Sequence, residues 1–145
     1  MRTCPRCGED YQSRLSGPLL DRIDLVIEIT PLSPKELSWA PPGEDSATVA
    51  ARVAAARARQ RERYGEAGPS TNAEAPGDFL RLTPEAKGFL EMAATQLRLS
   101  ARGFTRAMRV GRTIADLVGR EEVHKSHIAE ALAYRHRLKK KVAAF

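Results

Sequence analysis

Long apolar runs are missing from this sequence. No stretch comes near the ~20 consecutive apolar residues that a membrane-spanning helix needs, so an integral membrane protein of the helical kind is excluded. The first residues show no basic segment followed by an apolar stretch and a small-residue cleavage site, and a cytoplasmic chain is the expectation. Cysteine is scarce: Cys4 and Cys7, in "CPRC", are the whole supply. A structural zinc site takes four ligands, commonly from two such pairs. There is no second pair, and His124, His127 and His136 lie far along the chain. A thioredoxin-type redox motif needs a strand before it, for which there is no room. A thiol-bearing end is the simplest account of the pair, and a partial zinc site is the alternative. Aromatic residues amount to only 6%, without the aromatic–basic interleaving that stacks single-stranded nucleic acid. No internal repeat is present.

What the sequence does contain is positive charge and helical pattern. Its 145 residues suit one domain, and a hydrophobic fraction of 42% allows a modest core. The net charge of +6 favours a surface that tolerates or attracts polyanions, a weak signal by itself. Residues 14–22 read as a turn and a short helix opened by Gly17 and Pro18. Residues 24–29, "DLVIEI", read as a short β-branched strand bounded by Pro31. One strand is not stable alone, so its sheet is expected outside this chain. A proline-rich connector follows, in which Trp39 is expected to pack.

From Ser46, a plausible N-cap, the pattern turns helical. Val49, Val53, Ala56, Gln60 and Tyr64 share one face, and Gly65 ends the helix. After a Gly/Pro-rich loop, Thr83 caps and Pro84 opens a helix with an apolar face of Ala86, Phe89, Leu90, Ala93 and Leu97. Ser100 caps the next, whose inward stripe is Phe104, Ala107, Met108, Gly111, Ile114, Ala115 and Val118, with Gly119 placed to close it in a left-handed turn. A last helix covers roughly 126–138, with Ile128, Ala131, Leu132 and Tyr134 inward, and ends in a basic tail. Beside the stripe of the Ser100 helix, Arg102, Arg106 and Arg109 recur at helical spacing. Such a stripe is either a solvated face or a phosphate-facing surface, for which arginine's planar fork and permanent charge are suited.

The stretches "RLSGPLLDRIDLVIEI", "GEDSATVAARVAAARARQRER", "LSARGFTRAMRVGRTIADL" and "HIAEALAYR" occur in an order that resembles the C-terminal part of the magnesium-chelatase-like ATPases of the ComM/YifB type, within the AAA+ superfamily. The resemblance covers nearly everything after Tyr11. It implies a mainly α fold: a helical lid bundle of about four helices at 46–145, a connector at 31–45, and a remnant of the α/β ATPase core, with a short helix and one strand, at 1–30. It implies roles as well. Arg22, in "LLDRID", matches an arginine finger that reaches a neighbouring subunit's nucleotide site, with Asp21 and Asp24 orienting it. Arg106, in "GFTR", matches the sensor-2 arginine that contacts the γ-phosphate; Arg102 is the runner-up and Arg109 the third choice.

The sequence also departs from a complete ATPase. It has no phosphate-cradling G-x-x-x-x-G-K-[ST] loop, and no catalytic Asp-Glu pair follows "LVIEI". The resemblance therefore implies a chain inactive alone. It would supply lid and finger to a core carrying the phosphate loop, with ATP and Mg²⁺ bound only in the complete assembly, a ring expected to be a hexamer. Relatives of this type are linked to helicase or branch-migration work on DNA during natural transformation. The alternative is a non-catalytic basic helical module that binds nucleic acid or a partner ATPase.

Overall fold

The computed structural model describes residues 22–27 and 29–142, with the backbone alone at 35–36 and 136–142. Cys4, Cys7, Asp21 and nearly all of the short helix expected at 14–22 lie outside the described residues. In chain order come α1 (Pro34–Trp39), α2 (Ser46–Tyr64), a 3-10 turn (Gly77–Leu80), α3 (Pro84–Gln96), α4 (Ala101–Leu117) and α5 (Lys125–Val142). Among the described residues, the β-structure reported is a single parallel bridge between Leu82 and Val123.

Local chemistry explains where the helices start and stop. Thr83 accepts a hydrogen bond from the Ala86 N–H at 3.2 Å, and Ser100 accepts one from Gly103 N–H at 3.0 Å. Each side chain thus covers a donor the first helical turn leaves unpaired. α2 is capped by Asp45, one residue before the expected Ser46, through a 2.6 Å bond from the Thr48 N–H. Aspartate is at least as good an acceptor there as serine, which is how the start moved by one. α4 closes at Gly119, where φ is +75°, and the Arg120 N–H reaches back to the Ala115 carbonyl at 2.8 Å. That is the expected left-handed stop, and glycine supplies the conformation without a Cβ penalty.

α4 is the central helix. It packs against α5 and α2, and α5 in turn packs against α3. The main core joins Ala86, Leu90 and Ala93 of α3 to Ala107 and Ala115 of α4 and to Val123, Ile128 and Leu132. A smaller core holds Tyr64, Ala75 and Leu80. Leu82 and Met108 touch both. Alanines at the helix contacts let the backbones approach. At Gly111 the approach is closest: a Cβ added there would meet Ile128 Cδ1 at 2.8 Å.

Several inward assignments need correction. Ala56, Gln60 and Tyr64 of α2 are buried as expected, but Val49 and Val53 are exposed. Val118 is 60% exposed, because the chain already turns away at Gly119. Trp39, expected to pack, is 82% exposed; every described side chain from 29 to 55 is exposed, so nothing nearby covers the indole. The strand expected at 24–29 joins no sheet among the described residues. A strand needs a paired neighbour for its backbone groups; here, among the described residues, one backbone–backbone bond, from Val26 N–H to the Tyr134 carbonyl at 3.1 Å, ties the segment to α5.

Candidate functional site

The segment at 22–27 crosses α4 and α5, and Arg106 stands at the crossing. Its Nη1 donates to Asp24 Oδ1 at 2.6 Å and also to the Arg22 carbonyl oxygen. Arg135 of α5 donates to the neighbouring Ile23 carbonyl at 3.4 Å. Arg106 keeps a quarter of its side chain exposed and Asp24 half. An ion pair this open contributes only ~0.2–1 kcal/mol, so it positions the guanidinium more than it stabilises the fold.

Beside the pair lies a groove of about 450 Å³. Leu25, Ile27, Val110 and Leu117 make its walls apolar, and Arg106, Arg109, Asp24 and Glu130 give it charge. Arg109 is half-buried: it donates to the Ala75 carbonyl at 3.4 Å, while its Nε is buried with no hydrogen-bond partner. Of the three arginines on the predicted stripe, Arg106 and Arg109 line this groove. Arg102 is exposed and does not line it. Arg22 is exposed, and its carbonyl touches Arg106.

One charged cluster was missed by the sequence reading. Arg112 and Asp116, one turn apart on the buried face of α4, are both fully buried. Arg112 Nη2 lies 3.0 Å from Asp116 Oδ1, and Arg63 of α2 forms a two-pronged pair with the same carboxylate. Asn72 donates to Asp116 Oδ2 at 2.9 Å and accepts from the Tyr64 hydroxyl at 2.5 Å. Arg112 also donates to the carbonyls of Glu121 and Arg120, and Arg59 to that of Asp116 at 2.9 Å. Burial pushes the Asp116 carboxyl up, but the bonds from Arg63 and Asn72 and the two guanidinium charges outweigh it and hold it below the ordinary carboxylate range. Burial likewise draws the Arg112 guanidinium down. The signal available in the sequence was an Arg-x-x-x-Asp pair set among the apolar positions Met108, Gly111 and Ala115.

Among the described residues, no group of three or more His, Cys, Asp or Glu side chains converges in a way that could hold a metal ion. Nor, among them, is any helix long and apolar enough to cross a membrane.

Comparison with known proteins gives the context. Residues 43–135 match the family described as magnesium chelatase, subunit ChlI C-terminal, and residues 1–37 match magnesium chelatase, subunit ChlI. Competence protein ComM of Haemophilus influenzae is 41% identical over 135 residues, 92% of this chain and 26% of that protein. The uncharacterized protein YifB of Escherichia coli is 41% identical over 136 residues, 92% of this chain and 27% of its own length. A Mycobacterium tuberculosis protein, Rv2897c, is 39% identical over 129 residues, 86% of this chain and 25% of its own. The chain thus spans about a quarter of the length of these relatives. With a mainly helical bundle that matches the family's C-terminal region over more than half of its residues, the chain belongs to the magnesium-chelatase-like family, in its ComM/YifB branch.

Proposed function

We propose that this chain is the lid and arginine-finger portion of a ring-forming, DNA-directed AAA+ motor, contributing fixed positive charge to a nucleotide site whose phosphate loop lies elsewhere. Arg106 acts as the sensor-2 arginine on the γ-phosphate, and Arg22 as the finger offered to a neighbouring subunit. Arg109 assists from the same groove, and Arg102 is the weaker candidate. The observation that carries this assignment is the contact between Arg106 and the 22–24 segment. The two arginines matched by motif lie at one seam, one exposed and one partly exposed, and neither is sealed in the core.

The chemistry asked of them is electrostatic. A guanidinium held by Asp24 is pre-oriented, and a triphosphate, with more charge than one carboxylate, competes for the same donors. ATP and Mg²⁺ belong to the complete assembly. The contribution proposed for this chain is the fixed charge of its arginines. The polypeptide alone is expected not to turn over ATP. Cytoplasmic location, a hexameric ring and action on DNA complete the proposal.

The test supplies the missing core as a fusion or a companion chain and measures ATP turnover. Arg22→Ala should retain nucleotide affinity and lose turnover by roughly 10³–10⁵. Mixed rings, in which a neighbour donates a normal arginine, should recover it. Arg106→Ala should weaken nucleotide binding as well. Near-normal turnover with Arg22→Ala refutes the finger assignment.

A further inference from the structure

A second groove, about 480 Å³, shares no lining residue with the first. Arg59 and Arg63 come to it from the last turns of α2, Arg81 from the turn before α3, and Gly119 and Arg120 from the turn after α4. We propose that this groove binds phosphate groups through Arg59, Arg81 and Arg120.

The groove lies at the C-terminal end of α4, where bare carbonyls repel anions. Here the carbonyls of Ile114, Ala115 and Asp116 accept from the Val118, Arg120 and Gly119 N–H groups, Arg59 donates to that of Asp116 as well, and in the turn that follows Arg112 covers those of Arg120 and Glu121. Behind the wall, two guanidiniums, Arg63 and Arg112, share the single carboxylate of Asp116, so one formal positive charge is left over. The backbone that presents the arginines is fixed before any ligand arrives. Arg112 fastens the 120–121 carbonyls, and Val123 N–H donates to the Arg81 carbonyl at 2.9 Å, tying the Arg81 turn to the same loop. Gly119 gives Arg59 its seat, since a Cβ there would stand 3.2 Å from Arg59 Nη2. Arg81 and Arg120 are exposed, and neither forms an ion pair among the described residues.

Glu62 and Glu121 line the groove too. Four arginines and two glutamates leave it at +2, so long-range attraction is modest. Binding must come from direct, two-pronged guanidinium–phosphate bonds, the geometry arginine provides and lysine does not. The phosphate could be that of a free diphosphate or nucleotide, or that of a nucleic-acid backbone.

Inorganic pyrophosphate titrated into the full chain, with backbone amide signals followed by NMR, should shift Arg81, Gly119 and Arg120 saturably. The exposed pair Arg81→Gln/Arg120→Gln should bind at least about tenfold more weakly, the loss expected for one charge-assisted hydrogen bond. Arg61→Gln/Lys87→Gln removes the same charge from exposed positions outside the groove and should bind like the parent. Equal weakening in both doubles, or no saturable shift in the parent, overturns the proposal. In a second arm, a short single-stranded oligonucleotide that shifts the same amides in a salt-sensitive manner identifies the backbone as the source. Pyrophosphate binding without an oligonucleotide effect identifies free phosphate compounds.

Discussion

Asp116 is the residue whose loss the structure weighs most heavily. Its carboxylate is fully buried and shared by Arg112, also fully buried, and by Arg63 at the edge of the core. In Asp116→Ala both guanidiniums lose their counter-ion inside the protein. Breaking a buried pair by removing one partner costs ~3–5 kcal/mol, because an uncompensated charge is left behind. Small domains have only ~5–15 kcal/mol to lose. Asn72 keeps its 3.0 Å bond to Thr113 Oγ1, so the loop at 72 is not wholly released. In urea, at a slope of ~1.5 kcal/mol per molar, the unfolding midpoint should fall by roughly 2–3 M, read by far-UV circular dichroism. Arg112→Met/Asp116→Leu removes the fully buried guanidinium along with the carboxylate and leaves only Arg63, at the edge of the core, without its counter-ion. It loses the two carbonyl bonds of Arg112, worth ~1 kcal/mol each, yet should be more stable than the single variant. A loss below ~1 kcal/mol in Asp116→Ala, or a double variant weaker than the single, would show that Asp116 does not carry the charge balance assigned to it.

Two further outcomes follow from packing and titration. Gly111→Val forces atoms into the contact with Ile128 and Val123, 2.8 and 3.4 Å from a first added carbon, and should cost ~1–3 kcal/mol by overpacking; thermal unfolding unchanged from the parent would contradict that close approach. His127 accepts the His124 N–H through Nδ1 at 3.0 Å, which requires that nitrogen unprotonated. Burial, then the charges of His124, Arg112 and Arg120, hold its pKa below the ordinary 6.5 against the opposing pull of Glu130. The unfolded chain therefore takes the proton first. The contribution is complete above 6.5 and is lost as pH falls from there toward the folded-state value, where the loss levels off. Urea midpoints measured across this range should drop with acid in the parent and drop less in His127→Gln; parallel curves would exclude His127 as the group responsible.

Much of the bundle was legible because its signals are local. Thr83, Ser100, Gly65 and Gly119 act on backbone groups a few residues away, so their roles follow from spacing alone. The apolar periods of α3 and α4 are likewise short-range, and the ordered motif blocks carried the family. What failed was what depends on distant neighbours. Val49 and Val53 have the right period but nothing to bury them. Residues 24–27 have strand composition, yet a strand exists only with a partner, and none of the described residues provides one.

The arginines divide along the same line. Helical spacing alone set Arg102, Arg106 and Arg109 on one face, but only the tertiary fold separated them, bringing Arg106 to Asp24, half-burying Arg109 and leaving Arg102 exposed. By itself the sequence determined most helix ends, the core faces of α3 and α4, and kinship, since these signals lie within a few residues of one another. The tertiary structure alone decided that Arg112 lies inside with Asp116, and that Arg59, Arg81 and Arg120 face one groove. Charge has no preferred direction along a chain; its neighbours in space, more than fifty positions away for Arg59 and Asp116, determine whether it is a buried strut or an open binding surface.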